Sequence, residues 1–251
     1  MTDPFAHHPE LRDRIADPAG SFFRDFSVDK VEKLFPQLKD ARAWVHPDDT
    51  REATRAKALK EHTGDLWIFA YGSLMWDPAL KFAEVRRARV AGYARRLILM
   101  DVNGGRGTRE APGLMAALDR GEACDGLVFR IAASDVETET EILWRREMIG
   151  PGYTPAFVTA ELDDGPVQAL AFLADHATTE IRADLTREDQ VRCIAHGVGF
   201  LGTSRAYLVN IVSHFAAMDI HDEDCVALLR AVDDYLALID ADTANSAKAS
   251  R

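Results

Sequence analysis

The chain has 251 residues, 47% of them apolar, and a formal net charge of −11. That length and apolar content suit a globular protein with one large domain, or with one domain and an appendage. The acidic balance argues against the basic surface that nucleic acids and acidic membranes require, so neither is expected as a partner.

Three cysteines, Cys124, Cys193 and Cys225, lie far apart and form no CxxC pair. This spacing predicts a reducing compartment, with neither a disulfide framework nor a zinc site. Residues 1–14 are mostly polar and do not resemble a signal peptide. No apolar run reaches the roughly 18 residues that a membrane span needs, so we expect a cytoplasmic location.

The first 64 residues differ in pattern from those that follow. They contain Pro18, Pro36 and Pro47 and a charge-mixed run at 48–62. We interpret residues 1–64 as an N-terminal extension of short surface helices. From residue 66 the pattern changes to short β-like runs separated by glycines, which predicts strands at 66–70, 84–90, 95–100, 114–118 and 126–131.

One clear helix is predicted at residues 134–148. Ser134 and Glu137 have the spacing of a capping box at its start, and Gly150, Pro151 and Gly152 follow its end. Two further strands, 154–162 and 167–174, flank a hairpin signal at 163–165.

The C-terminal part predicts three helices within residues 186–240 and a flexible tail at 241–251. The strands cluster and do not alternate strictly with helices, which indicates an α+β domain spanning residues 65–240. The glycine-rich loop at 104–107 lacks the spacing of a dinucleotide fingerprint, and no P-loop is present.

The stretch WIFAYGSLMWDPAL, residues 67–80, begins as a buried strand and breaks at a glycine and a serine. A glycine has no side chain to hold a neighbour away and can adopt positive φ. Gly72 therefore predicts a close backbone approach at the end of this strand.

Glu147 is the unusual residue of the predicted helix. It follows Leu143 by four positions and Trp144 by three, so its carboxylate should point toward the apolar face. Lost hydration would raise its pKa and suit it to general acid/base chemistry. The alternative, left open at this point, is that Glu147 turns to water or pairs with Arg145 or Arg146.

Four segments together resemble the ChaC family of glutathione-specific γ-glutamylcyclotransferases, over roughly residues 66–232. They are WIFAYGSLMWDPAL at 67–80, RGTREAPGL at 106–114, ILWRREMIGPGYTPAFV at 142–158 and LGTSRAYLVNIV at 201–212. The resemblance implies a small, mostly antiparallel β-barrel with flanking helices and a helical C-terminus. It also implies cleavage of glutathione to 5-oxoproline and cysteinylglycine, with no metal and no cofactor. The alternative within the same enzyme class is a cyclotransferase for other γ-glutamyl peptides or amines.

The resemblance also implies site residues. The catalytic glutamate of the family falls on Glu147. The remaining positions would contact the small-molecule substrate, with backbone N–H groups of the YGSL loop cradling the γ-glutamyl group. These positions are Tyr71, Gly72, Ser73, Leu74, Arg106, Thr108, Tyr153 and Tyr207.

Other interpretations of single residues are weaker. Ser73 as a nucleophile lacks the GxSxG elbow. His214 and His221, followed by acidic residues, could be offered as metal ligands, but the pattern favours a solvated start of an acidic helix. The fold could also serve as a non-catalytic module that binds γ-glutamyl compounds, although such a module would not need an acidic residue at position 147.

Overall fold

The centre of the molecule is a closed β-barrel, seen in a computed structural model that describes residues 3–36 and 42–249. Within those residues the barrel order is β1-β3-β2-β4-β5. Neighbouring strands are antiparallel, except that β5 pairs in parallel with β1 and, at one position, with β3. The expected α+β class with a mostly antiparallel barrel is confirmed. The strands are β1 (Leu66–Ala70), β2 (Glu84–Asn103), β3 (Thr108–Ile131), β4 (Tyr153–Leu162) and β5 (Gly165–Ala174).

Two long strands replace four predicted short ones. The runs at 84–90 and 95–100 are both parts of β2, and those at 114–118 and 126–131 are both parts of β3. The pairing of β2 with β3 shifts register between Ala91 and Tyr93, where Gly92 has φ of +81°. A β-bulge bends a strand without ending it, so Gly92 marks a bulge inside one strand where a break between two strands was predicted.

Helix α3 (Val136–Glu147) is confirmed, but its predicted capping box is wrong. The residue before the helix is Asp135, and no side chain caps the first turn. Glu137 instead forms an ion pair with Arg55, with Oε1 and Nη2 2.5 Å apart. The Glu137 carboxylate therefore binds Arg55, which is distant in sequence, and does not cap the first turn of α3.

The hairpin and the C-terminal helices are also confirmed. Leu162 pairs with Gly165, whose φ is +126°, so residues 163 and 164 form the turn. Helices α4 (Arg187–His196), α5 (Ser204–Met218) and α6 (Glu223–Ala249) follow, with a small hairpin of β6 (Val198–Gly199) and β7 (Gly202–Thr203) between the first two. The predicted tail at 241–251 continues α6 as far as residue 249, and residues 250 and 251 lie outside the described residues. The flexibility of this segment stays a prediction.

The N-terminal extension packs on the barrel. It contains helices α1 (Val28–Leu34) and α2 (Asp48–Leu59), while residues 1, 2 and 37–41 lie outside the described residues. Leu11 and Ile15 are buried in the same apolar core as the barrel. Trp144 of α3 donates its ring N–H to Thr54 of α2 at 3.1 Å. The extension therefore shares the core of the molecule, and the domain boundary at residue 64 stays a prediction.

Across the described ranges, none of the helices is both long enough and apolar enough to span a membrane.

Candidate active site

A cavity of about 320 Å³ brings together residues that are far apart in sequence. Its volume is within the usual range for small-molecule sites. Eight of the nine expected site residues line it: Tyr71, Gly72, Ser73, Leu74, Arg106, Glu147, Tyr153 and Tyr207. Thr108 does not line it. That residue begins β3, and its hydroxyl accepts a hydrogen bond from the backbone N–H of Ala111 at 3.2 Å.

The loop after β1 is tightly packed at Gly72. Its φ is −130°, so the position does not use the positive φ that glycine permits. A Cβ atom placed on Gly72 would lie 2.9 Å from the hydroxyl oxygen of Tyr207. The expected close approach is therefore present, and the atom that approaches is a hydroxyl oxygen from α5.

The same loop offers free backbone donors. Residues 73–75 form a short 3-10 turn that begins directly after Gly72. Within residues 3–36 and 42–249, the backbone N–H groups of Gly72, Ser73 and Leu74 have no protein acceptor. Unpaired N–H groups beside a cavity are suited to bind an anionic or carbonyl oxygen of a ligand.

Substituting Gly72 by alanine is expected to lower the free energy of unfolding by about 1–3 kcal/mol, because the added methyl group overpacks against Tyr207. The variant Tyr207→Phe removes the oxygen involved. In the double variant the loss is therefore expected to be smaller than the sum of the two single losses. Urea denaturation measures all of these free energies.

Gly20→Ala is the matched control, since a Cβ atom at Gly20 would meet nothing within 4 Å. Its free energy of unfolding is expected to stay within about 0.5 kcal/mol of the wild-type value. Strictly additive losses for Gly72→Ala and Tyr207→Phe would contradict the proposed clash.

Glu147, the last residue of α3, faces the cavity. Only 14% of its side chain is exposed, and its Oε1 lies 3.0 Å from Nε of Arg146. Burial raises the pKa of the Glu147 carboxyl, because the charged form loses hydration, and the Arg146 guanidinium offsets part of that rise. Both interpretations left open by the sequence hold in part, since the side chain faces the cavity and also pairs with Arg146.

Three tyrosine hydroxyls lie around this carboxylate. Tyr71 donates to the carbonyl oxygen of Phe172, and Tyr153 to that of Ala116, each at 2.7 Å. Tyr207 accepts from the backbone N–H of Ala116 at 3.3 Å. Burial raises the pKa of Tyr207 to about 12 and those of Tyr71 and Tyr153 well above the ordinary value, so all three hydroxyls keep their protons near neutral pH. Among the described residues, only the Tyr207 hydroxyl of these three has no protein acceptor for its proton.

Arg106 supplies a positive charge at the cavity. The buried carboxylate of Asp101 accepts hydrogen bonds from the backbone N–H groups of Asn103 and Arg106, which fixes the loop between β2 and β3. The Arg106 guanidinium lies 5.0 Å from the ring centre of Tyr207 and donates to the carbonyl oxygen of Thr203 at 3.2 Å. No carboxylate in the described part of the chain forms an ion pair with this side chain. Arg106 is therefore free to bind a ligand carboxylate.

The weaker candidates have other partners. The Ser73 hydroxyl accepts from Nη2 of Arg146 at 2.8 Å, an arginine and not a catalytic base. The ring of His214 stacks on Trp76 with centroids 5.1 Å apart, while 91% of the His221 side chain is exposed. Among the described residues, no group of three or more potential ligands could hold a metal ion.

Several cavity residues had no signal in the sequence. Asp101 lies in β2 and Phe200 just before β7, and each meets the site only through the fold. The N-terminal extension also lines the cavity, with a group of apolar and aromatic side chains that no motif in the sequence had marked. These residues are Phe23, Phe26, Val28, Val31, Trp44 and Val45.

Comparisons with known proteins agree on one family. The sequence matches the family described as ChaC-like protein over residues 66–235. It is 32% identical over 216 residues to the glutathione-specific gamma-glutamylcyclotransferase of Escherichia coli, an alignment covering 85% of this chain and 93% of that protein. Identity to the glutathione-specific gamma-glutamylcyclotransferase 1 of Homo sapiens is 28% over 196 residues, covering 74% and 88%.

A solved structure has the same fold. The crystal structure of a yeast gamma-glutamylcyclotransferase specific to glutathione superposes with a TM-score of 0.63 at 21% identity. The superposition covers 69% of this chain and 97% of the yeast chain.

Proposed function

The chain belongs to the ChaC-like family, and on that premise we propose that it is a γ-glutamylcyclotransferase that cleaves glutathione to 5-oxoproline and cysteinylglycine. The observation that carries the proposal is the cavity itself. In it the mostly buried carboxylate of Glu147 lies with the unpaired backbone N–H groups of Gly72, Ser73 and Leu74. Relatives named for this activity in two organisms give it further support.

The reaction needs no nucleophile from the protein. The α-amine of the γ-glutamyl group attacks its own γ-carbonyl carbon, a new C–N bond closes a five-membered ring, and the amide C–N bond then breaks. The protein has to hold a flexible chain in the ring-closing shape, and such orientation accounts for several kcal/mol in tethered reactions. Unpaired N–H groups in the Gly72–Leu74 loop would provide this constraint and stabilise the oxyanion.

Glu147 is assigned the proton transfers. The α-amine arrives mostly as an ammonium ion, and the leaving nitrogen needs a proton when the amide bond breaks. The ammonium nitrogen loses two protons in becoming the ring N–H. In this mechanism the Glu147 carboxylate takes them one after the other, the first before attack and the second after ring closure, and passes each to the leaving nitrogen, which departs as an ammonium ion. A carboxyl group with a raised pKa is suited to both steps near neutral pH.

The remaining polar groups would orient the substrate. The free hydroxyl proton of Tyr207 is available to a substrate oxygen. The hydroxyl proton of Tyr153 is already used, so its oxygen would accept a hydrogen bond from the ammonium. Arg106 would bind a substrate carboxylate. A thiol-bearing substrate fits a reducing compartment, and a cytoplasmic location is part of the proposal.

The direct test is to incubate the purified protein with glutathione, γ-glutamylcysteine and γ-glutamylalanine and to quantify 5-oxoproline and the released amine by mass spectrometry. We expect 5-oxoproline from glutathione. Turnover of only the other peptides would favour a cyclotransferase for a different γ-glutamyl compound. No 5-oxoproline from any of them would overturn the enzyme and favour a non-catalytic γ-glutamyl-binding module.

The dependence of kcat/KM on pH gives a further test. Only deprotonated Glu147 can accept the proton, so kcat/KM is expected to rise with pH through the pKa of this group. Because burial raises that pKa, the rise should be centred above pH 4.5, the ordinary value for the carboxyl. The residual kcat/KM of Glu147→Gln should not show this rise with pH. A rise centred at or below pH 4.5 would contradict the inference that burial raises the pKa of Glu147.

A further inference from the structure

Side chains from residues 21–36 and 42–46 form one wall of the cavity, and these two described parts of the segment 21–46 are called the strap below. The strap belongs to the N-terminal extension and precedes residues 66–235, the range that matches the ChaC-like family. The Phe23 ring lies 4.1 Å from the guanidinium of Arg146, which itself pairs with Glu147. The strap therefore reaches the immediate surroundings of the proposed catalytic carboxylate.

The first part of the strap is attached by a buried ion pair. Arg24 pairs with Glu139 of α3, whose side chain is only 2% exposed. Arg24 also donates to the carbonyl oxygen of Ala79 at 3.0 Å and accepts at its own carbonyl from Arg145 at 3.1 Å. These bonds tie the start of the strap to the helix that carries Glu147.

The end of the strap is attached just beyond the same helix. The ring N–H of Trp44 donates to Glu180 at 3.0 Å, and the backbone N–H of His46 donates to the carbonyl oxygen of Ile149 at 2.8 Å. The indole packs directly on Gly150, where an added Cβ atom would lie 2.5 Å from the ring. The strap is thus fixed at both ends, so its cavity-facing side chains form a wall that is in place before substrate binds.

The chemistry of this wall is apolar and aromatic. Its charged cavity residues, Glu32 and Arg42, bind one another at 2.7 Å, and Arg42 also binds Asp29. Two carboxylates against one guanidinium leave no free positive charge among the strap residues that line the cavity. A substrate carboxylate turned toward the strap would lose hydration without gaining a partner, whereas a thiol or a small alkyl group would pack as a small apolar group.

We propose that the strap determines which γ-glutamyl peptides are cleaved, by packing Phe26 and Trp44 against the residue that follows the γ-glutamyl group. Peptides with a small apolar or thiol side chain at that position are accepted, and those with an acidic side chain are rejected. The inference rests on the proposed cyclotransferase reaction and adds the substrate class. In this proposal Phe26 and Trp44 contact the substrate and take no part in proton transfer.

The test compares 5-oxoproline release from glutathione and from γ-glutamyl-glutamyl-glycine. The selectivity is the ratio of the two kcat/KM values, and we expect it to favour glutathione by at least about a hundredfold in the wild type. Phe26→Ala opens the wall to water and is expected to lower this ratio by about tenfold, within the range that pocket contacts contribute to discrimination. Phe26→Leu, which keeps most of the apolar volume, is expected to lower the selectivity ratio by about threefold. This variant replaces Phe26→Ala in the test if the alanine variant does not fold.

Phe22→Ala is the matched control. Phe22 lies in the same strap and contacts Phe26 and Phe200 at centroid distances of 5.8 and 6.4 Å, but it does not line the cavity. The selectivity ratio of the Phe22→Ala variant is expected to match the wild-type value. If active Phe26→Ala and Phe26→Leu variants have the same selectivity ratio as Phe22→Ala, the strap inference alone is overturned. A wild type that forms no 5-oxoproline from either peptide would overturn the proposed function and the inference with it.

Discussion

Replacing Glu147 with glutamine is expected to lower kcat for glutathione by at least about a hundredfold, the usual contribution of a general acid/base group. Glutamine keeps the shape of the side chain and one acceptor oxygen but cannot carry a proton from the ammonium to the leaving amine. The measurement is 5-oxoproline formation at saturating glutathione. Because the proposed substrate contacts are the loop donors and Arg106, KM is expected to change far less than kcat.

The matching stability measurement shows whether the fold is retained. Folded Glu147 keeps its proton to higher pH than the unfolded chain does, because its pKa is raised. The stability it contributes is therefore full below pH 4.5 and is lost as the pH rises through the folded pKa. Glutamine stays neutral, so near neutral pH the variant is expected to be at least as stable as the wild type. Glu141→Gln, an exposed change in the same helix, should leave both kcat and stability unchanged. An active Glu147→Gln enzyme would remove this residue from the mechanism.

Replacing Arg95 with methionine is expected to lower the free energy of unfolding by about 3–5 kcal/mol, the cost of breaking a buried ion pair. Its side chain is only 1% exposed and pairs with Asp222, which precedes α6. It also donates to the carbonyl oxygens of Tyr71 and Asp125, and its guanidinium lies 4.5 Å from the ring centre of Phe215. Removing it leaves the mostly buried Asp222 carboxylate without its counter-charge and takes a hydrogen-bond donor from each of the two carbonyl groups. Urea denaturation measures the loss.

Arg96→Met is the control for this prediction. Arg96 is the next residue in β2, but half of its side chain is exposed, and its ion pair with Asp119 is 3.7 Å long. Its free energy of unfolding should stay within about 0.5 kcal/mol of the wild-type value, as is usual for surface changes. Equal urea midpoints for the two variants would show that the Arg95 contacts contribute little.

The contacts of Arg95 also bear on the site. In a planar trans peptide the C=O and N–H groups point in opposite directions. The carbonyl of Tyr71 is held by Arg95, so the N–H of Gly72 in the same peptide unit is directed away from the arginine. The buried ion pair thus supports the orientation of one of the unpaired donors at the cavity.

Local sequence patterns predicted those elements whose cause is local. The run at 66–70 coincides with β1, and the turn residues at 163–165 give the observed hairpin. Gly92 shows where local signals fail, because the same residue can end a strand or bend it at a bulge. Here the glycine bends the strand, because β3 continues to pair with β2 on both sides of Gly92. The capping box predicted from Ser134 and Glu137 is wrong for a similar reason, because Arg55 forms an ion pair with the Glu137 carboxylate.

Patterns among neighbouring residues were enough to predict the α+β class and the unusual position of Glu147, and short motifs carried the family resemblance that implied the barrel, because a helical stripe and short motifs are local properties of a chain. Which distant groups share the cavity depended on the fold. Trp44 meets Glu180, and Gly72 meets Tyr207, across more than a hundred residues of chain, whereas Thr108 lies away from the cavity despite its motif. Such contacts depend on how strands and helices pack, and packing is fixed by shape and burial over the whole molecule.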